Sequence, residues 1–123
     1  MGKACSDAHM DAMLDNIALA TTLTVCSAEP ANQAGISAVA LADVTLTAGD
    51  GNGDYTVGDG DTNGRKLTVA QQADVDIDSS GTATHVVLDD GSSIYVTTCT
   101  SQALTSGGTV TIPAWDIEVA DPS

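Results

Sequence analysis

The chain has 123 residues, 42% of them apolar, and a formal charge of −14 from seventeen acids set against Lys3, Arg65 and Lys66. That length lets one domain bury its own core without metal or disulfide staples. Such a charge repels phosphate backbones and anionic lipid, which excludes nucleic acid and membrane surfaces as expected partners.

The apolar residues are mainly Val, Ala, Leu and Ile, with three Met, three Cys, no Phe, one Trp and two Tyr, so the core is built from small side chains. Association with further copies, or with a larger surface, is one way such a chain gains stability. Fifteen of the acids are Asp and two are Glu. Asp favours turns and strand ends, which fits a β-rich chain.

Residues 1–20 read as an N-terminal arm with one helix. Met10, Met13, Leu14 and Ile17 recur at helical spacing, with Asp7, Asp11 and Asp15 on the other side and Ser6 as N-cap. This stripe is the expected docking interface, either onto one end of the domain or onto a partner. The three acids break the apolar run that a secretory signal needs, and no segment approaches the roughly 20 apolar residues of a membrane span. The chain is therefore expected to fold in a cytoplasm. The opening MGKACS fits an N-myristoylation pattern, yet no polybasic run follows to hold an acidic protein on a membrane.

Residues 21–123 read as a single β-sandwich domain. Residues 23–27 predict a first strand, ended by the turn Glu29-Pro30-Ala31-Asn32. Residues 36–47 begin as a helical turn and continue as an alternating strand. Residues 49–64, GDGNGDYTVGDGDTNG, read as a loop. Strands are predicted at 66–69, 75–77, 84–88, 94–98, 110–112 and 115–119. Asp89-Asp90-Gly91-Ser92 is a hairpin turn, and Pro113 marks a bulge or edge. The fold class is all-β, a sandwich or jelly-roll-like domain with a short N-terminal α-helix.

In the 49–64 loop, Asp50, Asn52, Asp54, Thr56 and Asp61 fall at positions 1, 3, 5, 7 and 12, the ligand spacing of an EF-hand calcium loop. Tyr55 stands where that loop needs Gly, and Asp61 replaces the bidentate Glu. Asp50, Asn52, Asp54 and Asp61 are the candidate calcium ligands, against the plainer reading of a solvated turn. Cys5, Cys26 and Cys99 match no metal spacing. Cys26 and Cys99 read as small core residues, and Cys5 as the candidate for an intersubunit disulfide. His9 and His85 belong to no nucleophile–base pattern, and no catalytic residues or further cofactor are expected. Trp115 reads as the core anchor of the last strand.

Two sets of segments carry a resemblance. LDNIALATTLTVCSAEP spans residues 14–30; NGRKLTV, GTATHVVLDDG and YVTTCTSQALTSGGTVTIPAWDIEVADP start at residues 63, 81 and 95. Together they resemble small structural proteins encoded among the virion genes of tailed bacteriophages. The resemblance implies a virion component, with no catalytic residues to carry over. The expected function is an outer capsid decoration (cement) protein at the virion surface, assembled in the bacterial cytoplasm. It would bind the major capsid protein as a homo-oligomer, expected to be a trimer. A neck, collar or tail-fibre component is the alternative within that class. A calcium-dependent β-sandwich binding module is the alternative from another class, and a hydrolase stands third.

Overall fold

The computed structural model describes residues 6–61 and 64–119. In chain order the elements are α1 (Asp7–Ile17), β1 (Thr22–Cys26), a 3-10 turn (Gln33–Gly35), α2 (Ile36–Val39), β2 (Ala40–Thr45), β3 (Tyr55–Asp59), β4 (Arg65–Val69), β5 (Gln72–Asp76), β6 (Gly81–Asp89), β7 (Ile94–Leu104), β8 (Thr109–Ile112) and β9 (Trp115–Val119). The chain is an all-β sandwich with antiparallel sheets and the expected N-terminal helix.

One layer is a four-stranded sheet ordered β2-β1-β6-β7, and the other a three-stranded sheet ordered β3-β4-β9. β5 and β8 form a separate ribbon. This ribbon abuts the β2 edge through the Ala42–Ile77 bridge and two bonds donated to the Leu41 carbonyl, from Asp78 N at 2.8 Å and Ser79 N at 3.1 Å. Leu23, Val25, Val86 and Leu88 of the first sheet pack on Leu67, Val69 and Ile117 of the second. Alternation along each strand points these side chains inward.

β1 is sealed on both faces. Leu23 and Val25 point into the main core, while Cys26 joins Val87 in a second cluster closed by Ile36 of α2. That explains why TLTVC is almost continuously buried, as a central strand covered on both sides must be.

Ser6 caps α1 in an extended conformation, its side chain accepting from His9 N at 3.4 Å. Met10 and Leu14, one turn apart, are fully buried, and α1 lies on β4 and β3 of its own chain. Residues 6–20 are thus part of the domain rather than a separate docking arm, and Met10 and Leu14 are not an interface for a partner. Docking within one chain escapes the entropic cost of association, so the stripe closes locally. Ile17 is half-buried against the same core, and Met13 remains 49% exposed.

β3 differs from the sequence reading, which places residues 49–64 in a loop. Tyr55 and Val57 alternate inward and pair with Val69 and Leu67. Tyr55 is fully buried, and its hydroxyl donates to the Ala20 carbonyl at 2.8 Å. Residues 49–54 form the turn before β3, with positive φ at Gly49, Gly51 and Gly53, and a second turn after Asp59 leads into β4. Cys5 and the intersubunit disulfide expected there lie outside the described residues.

Candidate interaction surface

The turn before β3 directs its polar groups to its own backbone. Asp50 Oδ1 accepts from Val57 N at 2.8 Å, and Asp54 Oδ2 accepts from Thr47 N at 2.6 Å. Asn52 Nδ2 donates to the Ala48 carbonyl at 2.8 Å. Asp61 sits beyond β3, where its Oδ1 accepts from Lys66 Nζ at 2.7 Å. These four residues therefore do not converge as calcium ligands. Among the described residues no group of three or more His, Cys, Asp or Glu is placed to hold a metal ion. Asp and Asn recur at this spacing because each supports a tight turn.

The described cations are committed to acids. Arg65 Nε donates to Asp11 at 2.7 Å and Nη1 to Asp59 at 2.6 Å. Lys66 also lies 3.7 Å from Asp116. Hydrogen bonding to Asp11 raises Arg65 above its usual range, and hydrogen bonding to Asp61 raises Lys66. His85 Nδ1 lies 2.8 Å from the hydroxyl of the adjacent Thr84, while His9 is exposed on α1. These local contacts assemble no nucleophile and base.

Charge is unevenly distributed. Residues 91–115 contain no charged side chain, in a chain of 20 Asp, Glu, Lys and Arg residues. This neutral run contains β7, the turn at Gly107 and β8. The hairpin that leads into it is set by Asp90, whose Oδ1 accepts from Ser93 N at 2.7 Å and Ser92 N at 2.8 Å. Those bonds hold the Asp90 carboxyl below its ordinary range. Gly91, at φ +95°, takes the left-handed position of the turn.

β7 is long and lightly covered. Of its 11 residues only Leu104 is buried. It pairs with β6 on one side, and among the described residues no strand pairs with its other side. On the outer face, Ile94 and Val96 pack half-buried against the Cys26–Val87 cluster. On the inner side two recesses of about 230 and 380 Å³ share Val86, Cys99, Ile112 and Pro113, forming one cleft between β7 and the β8–β9 corner. Trp115 lines it, stacked on Tyr95 at 6.4 Å between ring centroids and an interplanar angle of 26°. Its Nε1 is buried with no hydrogen-bond partner among the described residues. Trp115 thus anchors β9, as expected, and also walls a cleft.

The sequence predicts a strand at 94–98, whereas β7 continues to Leu104. The neutral run was the available signal for a distinct surface. No family model matches the chain, and no curated protein or solved structure matches it.

Proposed function

We propose that this chain is a structural protein of a tailed-phage particle. It acts as an outer capsid decoration protein that binds the major capsid shell as a homo-oligomer and stabilises it. The observation that carries this reading is the separation of charge, a neutral 91–115 segment on an otherwise acidic body. Acidic surfaces keep crowded copies soluble and apart. A neutral strand and cleft give them a place to touch a neighbour or the shell. The sandwich supports the same role, since a body with strands packed on both sides of one core is stiff enough to brace a lattice. Many weak contacts repeated over a shell add up to firm attachment. The resemblance of residues 14–30, 63–69, 81–91 and 95–122 to virion proteins supports the same setting.

The test mixes the purified chain with shells assembled from the major capsid protein of the same genome. Saturable co-sedimentation, density on the outer lattice in cryo-electron microscopy and increased heat resistance of the shells are expected. A chain that stays in the supernatant overturns the reading. Copy number separates the positions within a particle, because decoration requires on the order of hundreds of copies and a neck or collar about a dozen.

A further inference from the structure

We propose that two copies of this chain pair through the free edge of β7, antiparallel about a two-fold axis at Val96. The inference rests on the homo-oligomeric reading above and names its contact. It begins from the two edges of the four-stranded sheet. The β2 edge is occupied by the β5–β8 ribbon through the Ala42–Ile77 bridge, whereas β7 offers its outer backbone groups to no described strand. Soluble proteins usually protect such an edge with charge, Pro or a bulge. The segment Ile94–Thr98, IYVTT, has no charge, no Pro and no Gly.

The bulge comes later and sets the length of the contact. Ala83 faces Gln102 and His85 faces Thr98, so β7 carries extra residues at 99–101 and bends there. The straight part of the edge is therefore residues 94–98. Pairing it with itself in full register places Val96 opposite its copy and Ile94 opposite Thr98 of the copy. Val opposite Val is a favourable cross-strand pair, and Ile94 and Val96 are already half-buried on the outer face.

Charge selects a second copy and fixes the direction. A chain carrying −14 brings its own copy close at least cost where acids are absent, and residues 91–115 are the longest acid-free run in the sequence. In the antiparallel arrangement the two Asp90 hairpins point to opposite ends, roughly 20 Å apart by strand rise and beyond a Debye length of about 8 Å. A parallel arrangement would set them side by side. An isologous contact closes on itself as a dimer, which takes the place of the trimer expected from sequence.

The test uses the full chain at high micromolar concentration, sized by sedimentation velocity. Wild type is expected to be a dimer or an assembly of dimers. V96K and V96E, each placing like charges across the axis, are expected to weaken dimerisation by about tenfold or more, with β-type circular dichroism retained. Mixing the two variants is expected to restore the dimer as a heterodimer. Oxidising V96C in a C5S background is expected to give an interchain disulfide, because facing residues lie within disulfide reach. T98C, displaced from its copy along the strand, is expected to give none. A wild-type monomer, or an oligomer that V96K leaves intact and V96C does not cross-link, overturns the proposal. An oligomer of that kind that still binds shells leaves the decoration role standing. A β7 dimer that ignores shells removes the decoration role and keeps the pairing.

Discussion

The Tyr55 hydroxyl donates a 2.8 Å hydrogen bond to the Ala20 carbonyl, tying the start of β3 to the connection between α1 and β1. Both residues are buried. Y55F keeps the ring and leaves a buried carbonyl without its donor, so it is expected to cost about 1–2 kcal/mol in urea unfolding. Burial, with a smaller contribution from the Asp54 charge, pushes the phenol up to about 12 from its ordinary 10. The folded state therefore favours the protonated form. Its contribution is full below about pH 10 and is lost as pH rises from 10 towards 12. Y55F is expected to flatten the alkaline fall in the urea midpoint, and an unchanged slope would contradict the buried bond.

Leu14 and Met13 are neighbours in sequence with opposite fates, since Leu14 is fully buried and Met13 is 49% exposed. L14A is expected to destabilise the domain by about 2–5 kcal/mol through the cavity it leaves. M13A is expected to change stability by no more than about 0.5 kcal/mol. Were residues 6–20 a mobile arm, both substitutions would leave the unfolding curve of the β-domain unchanged. Thermal melts of the two variants distinguish these cases.

Asp54 accepts from Thr47 N at 2.6 Å and from Gln72 Nε2 at 3.2 Å, bracing the turn against the start of β5. D54A is expected to cost about 1 kcal/mol, since both bonds are solvent-accessible in part. The same loss is expected with millimolar calcium or with chelator present. A rise in melting temperature on adding calcium to wild type, absent in D54A, would restore the metal site.

The helix and most strands were legible because each has a local pattern: the i, i+4 spacing of Met10 and Leu14, the alternation in residues 115–119, and the hairpin turn at 89–92 that ends the apolar run at 86–88. β3 was hidden because Gly and Asp flank it closely and because Asp50, Asn52, Asp54 and Asp61 mimic a ligand spacing. Turn chemistry and calcium chemistry use the same acceptor side chains, so spacing alone could not separate them. The pairing of β1 with β6 and of β4 with β9 joins segments far apart in sequence. No local signal encodes it, and without it the open edge of β7 could not be read. The neutral run from 91 to 115 was visible, but it acquires meaning only once β7 is known to be an edge.

Cys26 lies fully buried in the cluster closed by Ile36, whereas Cys99 is half-buried on β7. Both are free thiols. Burial, followed by the nearby Cys99, pushes Cys26 up to about 11 from its ordinary 9, which reduces its thiolate at pH 8 by about a hundredfold. In a C5S background a thiol reagent is expected to label Cys99 first. Cys26 is expected to react only at the rate of unfolding, and both thiols to react promptly in urea. C26A, which opens a small void under Ile36, is expected to cost about 1 kcal/mol. Labelling of native Cys26 as fast as Cys99 would mean that α2 lifts from the sheet. The half-buried Ile94 and Val96 would then lose part of the cluster on which they pack.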